Sequence, residues 1–303
     1  MAGLLAGNML RRHDVKILER KPGLPDNHSA LLRFRSTVVS AATGIPFERV
    51  RVRKGFWDGE SLVNKPTLAH ANLYSLAVTG EVHTRSITNM EPSDRYVAPA
   101  DFIQQMAKHL DIAYGQVVDR PRLDHPVIST MPMPLMMDAI GWEDRPKFNF
   151  QPIWTITCQV DSPRIFVHQT LYSVEPGSWY RATLHGSRLT LEFAEEPHRS
   201  VPNRDWCSIA VACFFGHNFP DHKIKIEVSN SETAKQPFGK ITPIPEDIRK
   251  KFILHLTDKW NIYSLGRFAT WRQVLLDDLV ADIGHIESMI QSGCNYERRL
   301  NSY

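Results

Sequence analysis

The stretch MAGLLAGNMLRRHDVKILE, residues 1–19, carries the pattern that decides the fold. Small and apolar side chains dominate residues 2–10 and two arginines follow them, which predicts a short buried helix with cations near its C-terminus. Residues 14–19 then alternate in polarity, which predicts a short β-strand that ends in the acid Glu19. A helix, a strand and a terminal acid in this order are typical of the second half of a βαβ unit.

Dinucleotide-binding βαβ units combine a strand, a glycine-rich turn, a helix facing the pyrophosphate, and an acid about 20 residues on that holds a ribose hydroxyl. Gly3 matches the third glycine of that turn, and Gly7 is the small residue that lets the helix pack on the sheet. Glu19 lies at the right distance to hold the ribose. The first strand and the first two glycines do not precede Met1. We therefore expect Met1 to be an internal methionine of a Gly-x-Gly-Met-Ala-Gly turn.

The rest of the chain alternates between helical and strand-like patterns, which predicts an α/β fold. Helical periodicity marks residues 102–110, 245–256 and 271–290, and one more strand is predicted at residues 126–130. Residues 147–228 are strand-like throughout, and we interpret them as an antiparallel sheet inserted into the α/β part. The strands predicted there span residues 154–158, 165–168, 179–184 and 188–193.

Composition and motif spacing exclude several classes of protein. The 303 residues are 42% hydrophobic and 23% charged, enough to bury the cores of two joined domains. A net charge of +3 does not by itself favour nucleic-acid binding, although it does not exclude it. The longest apolar runs fall short of the roughly 20 residues that span a bilayer, and no signal peptide is seen, so we expect a cytoplasmic protein without membrane contact.

The nucleophile and metal motifs of common enzymes are not evident in the sequence. The four cysteines are far apart and form no CxxC pair, which predicts reduced thiols and neither a zinc site nor a disulfide framework. No spacing matches a Ser-His-Asp set, an HExxH helix or a complete P-loop, which disfavours hydrolases and kinases.

The segment YSLGRFATW at residues 263–271, followed by Leu276, Asp277 and Asp278, resembles the closing flavin-site motif of UDP-galactopyranose mutases and related flavoproteins. In that family the Gly-Arg turn opens a helix whose N-terminal amides approach the flavin and its phosphates, as the positive end of a helix favours. Residues 128–132 and 95–99 are similar to two further family segments. The chain is thus similar to the FAD-dependent amine-oxidase and UDP-galactopyranose-mutase superfamily, which implies a Rossmann-like FAD-binding domain with an inserted, mainly antiparallel β substrate domain.

The resemblance and the N-terminal pattern together nominate ten residues that would bind FAD. They are Gly3, Gly7, Glu19, Arg33, Arg35, Gly266, Arg267, Trp271, Asp277 and Asp278. Each has a structural alternative: a solvated strand-end acid for Glu19, a turn glycine for Gly266, an ion pair with a helix acid for Arg267. The two helix acids could simply be exposed. The guanidinium groups of Arg33 and Arg35 could bind phosphate through bidentate hydrogen bonds, or they could form one buried structural ion pair.

Arg181 and three histidines are candidates for the chemistry, and no metal ligands are predicted. Arg181 resembles the substrate-sheet arginine that mutases of this family use near a sugar-nucleotide diphosphate; its alternative is a stacked structural arginine. His28 and His168, with His185 beside them, could transfer protons. Each histidine alone has a structural or solvated role as its alternative.

These observations predict the domains and the function as follows. Residues 1–36, 86–140 and 236–303 form the FAD-binding domain, and residues 37–85 and 141–235 form the substrate or cap domain. The chain is an FAD-dependent oxidoreductase or mutase acting on a small, phosphate-bearing substrate such as a nucleotide sugar, an amine or a modified nucleotide. NAD(P)H is a candidate reductant. The alternative is a non-catalytic binding or scaffold protein derived from the FAD fold, and the oligomeric state is left open.

Overall fold

A computed structural model describes residues 1–25, 32–63, 65–82, 86–118, 125–160, 168–175, 177–215 and 228–293. Within them the α-helices are α1 (Ala2–Met9), α2 (Val38–Thr43), α3 (Leu68–Thr79), α4 (Phe102–Ala107), α5 (Met133–Ala139), α6 (Asn203–Phe215), α7 (Glu246–Trp260) and α8 (Leu276–Gln291). The strands are β1 (Lys16–Glu19), β2 (Arg33–Phe34), β3 (Glu48–Trp57), β4 (Leu62–Val63), β5 (Ser93–Val97), β6 (Asp111–Tyr114), β7 (Val127–Ser129), β8 (Phe150–Val160), β9 (His168–Ser173), β10 (Arg181–His185), β11 (Arg188–Phe193), β12 (Val228–Ile241) and β13 (Ile262–Ser264). None of the helices in the described part of the chain is long and apolar enough to cross a membrane.

The chain divides into two compact units. Unit 1 consists of Met1–Arg49, Tyr96–Asn149 and Pro243–Tyr303, and unit 2 of Val50–Arg95 and Phe150–Thr242. The chain therefore enters unit 1 three times and unit 2 twice. The domain ranges expected from the sequence, with their assigned roles, stay a prediction.

Unit 1 contains short parallel strand pairs covered by helices. Strand β1 pairs with β6 and strand β7 pairs with β13, both in parallel. Helix α1 lies closely on β1, because a Cβ placed on Gly7 would come within 2.8 Å of the Ile17 side chain. Parallel strands separated by helices are the pattern of an α/β fold, which confirms the predicted fold class.

The core of unit 1 is built from α1, α2, α4 and α8. Leu5 on α1 and Ile283 on α8 are fully buried in it. The rings of Phe34, Phe47 and Phe102 lie within 6.0 Å of one another and fix β2 near α4. The apolar residues of α8 recur every three or four positions, so one side of the helix is buried, as the sequence predicts.

Unit 2 is a strongly twisted sheet with a helix on one face. Its strands follow the order β12-β8-β11-β10-β9-β3, with β4 paired to β3. All neighbours in this order are antiparallel except β3 and β9, which are parallel. One face carries alternate apolar residues such as Ile156, Leu184 and Leu191, and these form a core with α6. At one end of the opposite face, Tyr74 of α3 packs against Tyr172.

The structure corrects several elements predicted from the sequence. The helix predicted at residues 271–290 begins only at Leu276, because Trp271 adopts a left-handed φ of 45° that no regular helix accommodates. The Gly-Arg turn therefore does not open α8 directly. Helix α6 lies inside the region predicted as strands throughout, and residues 27–79, whose sequence pattern is less regular, contain α2, β3 and α3. Most of the strand predicted at residues 165–168 lies outside the described residues.

Candidate functional site

The N-terminus of α1 and the carboxyl end of β1 come together in unit 1. Burial lowers the pKa of the Met1 amino group below its ordinary value, and the Glu19 carboxylate is close enough to raise it in part. The Glu19 carboxylate also accepts a hydrogen bond of 2.9 Å from the backbone N–H of Lys21, which holds it at the strand end. A helix start beside a strand-end acid is the geometry that a dinucleotide fingerprint requires.

The turn after β13 approaches the same helix end. Gly266 has a φ of +93°, and a Cβ placed on it would lie 3.1 Å from the Cβ of Ala2. The turn is fixed from both sides, because Leu265 N–H donates to the Ser129 carbonyl and the Thr270 hydroxyl donates to the Gly266 carbonyl, both at 2.8 Å. A glycine is therefore required here both by its backbone conformation and by the closeness of α1.

Gly3, in α1, lies near Thr130, the residue that follows β7. A Cβ placed on Gly3 would meet Thr130 Cγ2 at 3.9 Å, which is an ordinary contact. Gly3 thus has room for a methyl group within the protein, whereas Gly7, one turn further along, does not. The first N–H groups of any helix have no partner within the helix, and a helix start carries positive potential. Gly3 and Gly266 therefore leave bare backbone around a helix end suited to an anion.

Asp277 and Asp278 both accept hydrogen bonds from this chain. One oxygen of Asp277 accepts from the Ser36 hydroxyl at 2.8 Å and from the Ser36 N–H at 3.1 Å. The other lies 3.5 Å from the Arg35 N–H. Asp278 accepts from the Leu275 N–H at 2.8 Å and so caps the start of α8. Asp277 therefore fixes the segment that follows β2, and any contact of either acid with a cofactor stays a prediction.

The remaining predicted cofactor residues are spread over the same unit. Arg33 is half-buried on β2, and the Arg35 residue is exposed. The Arg267 guanidinium lies 5.6 Å from the Phe268 ring centroid. The Trp271 residue is 1% exposed, and its ring meets Phe148 edge-on at 4.7 Å, so its indole is part of the core of unit 1. No described contact tests whether any of these side chains binds FAD.

Arg181 in unit 2 is paired with an acid. It stands opposite Glu192 across the β10–β11 pair and forms an ion pair with its carboxylate. The Tyr180 hydroxyl donates to the second oxygen of Glu192 at 2.8 Å. Burial disfavours ionisation of Glu192, yet Arg181 beside it holds the pKa of the carboxyl below its ordinary value. The Nε atom of Arg181 is buried and has no hydrogen-bond partner within the described part of the chain.

His168 and His185 face each other across β9 and β10. Their Nδ1 atoms are 2.5 Å apart and their ring centroids 4.3 Å apart. His185 and Arg181 are four residues apart on one strand and thus point to the same face of the sheet, roughly 13 Å from each other. His28 lies outside the described residues. No group of three or more metal-ligating side chains occurs among the residues that the structure describes.

Threonines cover the sheet face between Arg181 and the histidine pair, a feature that sequence reasoning missed. The members alternate with apolar residues along four neighbouring strands, so their side chains share one face: Thr155, Thr157, Thr170, Thr183 and Thr190. We call this set, with Arg181, His168 and His185, the polar face of unit 2. The alternation of Thr155 and Thr157 with apolar residues in one predicted strand was the available signal, but the common face of all five threonines depends on the strand register.

Comparison with known proteins rests on three-dimensional structure. No protein-family model and no curated protein matches the sequence. A solved structure of reduced UDP-galactopyranose mutase matches with a TM-score of 0.67 at 14% identity, over 95% of this chain and 92% of that one. The chain has the fold of this mutase.

Two further solved structures share the fold. A protoporphyrinogen oxidase candidate from Exiguobacterium sp. 255-15 matches with a TM-score of 0.59 at 10% identity, over 96% of both chains. A variant of P. aeruginosa PqsL matches with a TM-score of 0.50 at 12% identity, over 99% of this chain and 87% of that one. The predicted Rossmann-like α/β fold and the predicted resemblance to UDP-galactopyranose mutases are confirmed at the level of the fold.

Proposed function

We propose that this chain is an FAD-dependent enzyme that binds the cofactor along unit 1. The observation that carries the proposal is the meeting of Gly3, Gly266 and Glu19 at the N-terminus of α1. Bare backbone at the two glycines and the positive helix end suit a pyrophosphate, and the neighbouring carboxylate suits a ribose hydroxyl. A side chain at Gly266 would press on α1, so this chain keeps the cradle open.

In this proposal the protein groups bind and orient while the bound flavin supplies electron transfer or nucleophilic chemistry. Glu19 accepts a hydrogen bond from the ribose, and the first amides of α1 donate to the pyrophosphate. The hydrogen bonds between Asp277 and Ser36 fix the segment that carries Arg33 and Arg35, and in this proposal these two arginines bind a phosphate of the cofactor. Each of these roles is local to unit 1.

The polar face of unit 2 supports a small, polar substrate. Thr157 and Thr183 are half-buried, and their hydroxyls both donate and accept hydrogen bonds, which suits the hydroxyl groups of a sugar or nucleoside. The Nδ1 atoms of the histidine pair lie 2.5 Å apart, and a neutral imidazole offers one donor and one acceptor nitrogen. Arg181 is paired with Glu192, so it offers a phosphate hydrogen-bond donors rather than net positive charge. We therefore favour a nucleotide-linked substrate over an amine. An activity assay of the FAD-loaded protein would show whether the reaction is an oxidation or a mutase-like rearrangement.

The test is to measure the affinity of the purified chain for FAD by titration, with flavin fluorescence or absorbance as the signal. We expect the wild type to bind FAD and the Glu19→Gln variant to bind about 10-fold to 100-fold more weakly, because a hydrogen bond to a charged acceptor contributes about 1.5 to 3 kcal/mol. Glu48→Gln, at an exposed strand start in the same unit, is the control and should leave the affinity unchanged.

Anaerobic mixing of the FAD-loaded protein with NADH or NADPH then tests the candidate reductant by loss of the oxidised flavin spectrum. A folded wild-type chain that binds no FAD would overturn the proposal and favour the scaffold alternative. Equal affinity of the Glu19→Gln and wild-type chains would remove the ribose role from Glu19.

A further inference from the structure

Two cysteines that are far apart in the sequence lie side by side within unit 2. Cys158 is on β8 and Cys207 is on α6, 49 positions later, and their sulfur atoms are 2.6 Å apart. Both residues are buried, at 1% and 0% exposure. Both are free thiols in the structure. Sequence spacing had predicted no disulfide, since it carries no information about which strand and helix meet.

The local structure aims both sulfurs at the same layer. Cys158 alternates along β8 with Ile156 and Val160, so all three point to the apolar face of the sheet. Cys207 lies on the side of α6 that also carries Ala210 and Val211, and this side packs on that face. No other side chain separates the sulfurs, whose distance is close to the roughly 2.05 Å of an S–S bond.

The geometry points to a disulfide-forming site in which Cys158 and Cys207 join β8 to α6 when the protein meets a peroxide. The Cys158 sulfur attacks one oxygen of hydrogen peroxide, the O–O bond breaks, and a sulfenic acid and water form. The Cys207 sulfur then attacks the Cys158 sulfur, the S–O bond breaks, and a second water leaves. Two thiols thereby lose two electrons and two protons, and one peroxide is reduced to two waters.

The order of the two steps follows from the electrostatics of the pair. Hydrogen bonding from Cys207 lowers the pKa of Cys158, whereas the pKa of Cys207 is raised by the same bond and by burial. Cys158 is therefore the more readily ionised of the two thiols and reacts first, and Cys207 resolves it. Local opening of the structure admits a molecule as small as hydrogen peroxide, whereas burial of the pair excludes larger thiols. The disulfide, once formed, therefore resists reduction by glutathione in the folded state.

Cys213 provides a matched control on the same helix. It is buried, and burial raises its pKa to about 11, so it resembles Cys207 in surroundings. It lines a small cavity with Gly55 and Leu171, and Leu171 lies on β9, three strands away from the β8 strand that carries Cys158. A variant at this position keeps both members of the proposed pair.

The experiment counts thiols by alkylation under denaturing conditions, before and after treatment of the folded wild type with hydrogen peroxide. We expect the count to fall from four to two, with the chain mass falling by two hydrogens. Tryptic mapping should link the peptide with Cys158 to the peptide that carries both Cys207 and Cys213. Cys213→Ala should still lose two thiols, whereas Cys158→Ala and Cys207→Ala should lose none.

Thermal unfolding gives a second reading of the same bond. Closing a loop of this length should raise the Tm of the oxidised wild type by about 5 °C over the reduced protein, and the same shift should appear in Cys213→Ala. Retention of all four thiols by the peroxide-treated wild type would overturn the inference, and so would a link that disappears in Cys213→Ala. Both readings use the wild type and the control variant, so a folding defect at Cys158 or Cys207 does not obscure them.

Discussion

Gly7 leaves no space for a side chain between α1 and the strands beneath it. A methyl group there would lie 2.8 Å from Ile17 and 3.1 Å from Leu110, so one of these side chains must move. Gly3, on the same helix, has its nearest such neighbour at 3.9 Å. The two glycines of the motif therefore have different structural requirements.

We predict that Gly7→Ala destabilises the fold by about 1 to 3 kcal/mol through overpacking. Gly3→Ala should be neutral or stabilising by up to about 1 kcal/mol, because alanine has the better helix propensity. Chemical denaturation of the FAD-free chain measures both. If Gly3 also lies against the pyrophosphate as proposed, Gly3→Ala should weaken FAD binding without loss of stability. Equal stability of the two variants would contradict the packing argument.

Arg181 and Glu192 form a partly buried ion pair whose loss should be asymmetric. We predict that Arg181→Met destabilises the protein by about 2 to 4 kcal/mol, because it leaves the Glu192 carboxylate buried without its partner. The double variant Arg181→Met with Glu192→Leu should recover most of this loss, since both charges are gone. Denaturant unfolding of the full mutant cycle checks this, and additive losses would show that the pair is not coupled.

At the residue scale, local sequence was sufficient to place Glu19 near the start of α1, whereas its role toward a ribose stays a prediction. The Glu19 carboxylate lies near the start of α1, as the spacing of 16 residues from Gly3 required. The partner of Arg181 was not predictable in the same way, because it depends on the register between β10 and β11. The closeness of Cys158 and Cys207 likewise depends on how a strand and a helix pack.

At the scale of elements, α8 is held to the rest of unit 1 at both ends. Near its start, Asp277 accepts hydrogen bonds from Ser36. In its last turns, the Glu287 carboxylate forms an ion pair with Arg12 at 2.7 Å and contacts His13 at the same distance. Hydrogen bonds from these two side chains lower the pKa of Glu287. The segment after α1 and the end of α8 are thus linked by charge.

This link predicts a specific acid sensitivity. A carboxyl whose pKa is lowered by folding stabilises the protein above its unfolded pKa of about 4.3 and loses that contribution as the pH falls through the lower folded value. Above this range Glu287→Gln should have a lower Tm than the wild type, and the difference should shrink toward zero below it. Glu143→Gln, at an exposed site, is the control. A difference in Tm that does not vary with pH would contradict the assignment.

The predicted boundaries of elements were wrong where the packing of a buried aromatic residue or a partner distant in sequence overrides the local sequence pattern. The periodic residues from Val274 onward favoured a helix starting at Trp271, but the buried Trp271 takes a left-handed conformation and Asp278 caps the helix at Leu275. Helix α6 was not predicted, because its apolar residues are of the same types as those of the strands on which it packs. Aromatic and β-branched residues favour strands by propensity, and tertiary packing decides the outcome.

At the scale of the whole molecule, the fold class was predictable and the path of the chain was only partly so. The motifs at residues 1–19 and 263–278 both belong to unit 1, and they indicated a flavoprotein fold that the comparisons confirm. The strands of unit 2 were predictable from alternation, except those that pair over long separations. Strand β3 lies parallel to β9 more than a hundred residues later, and no local signal specifies such a pair.

The three-part construction of unit 1 also sets the order in which the protein can mature on the ribosome. The buried side of α1 needs α8, and β7 needs β13, yet these partners are synthesised last. At ordinary translation rates the apolar start of the chain waits on the order of tens of seconds for its cover. Both strands of each antiparallel pair in the sheet of unit 2 emerge well before that. Among the described helices, α1 therefore waits longest for the helix that covers its buried side.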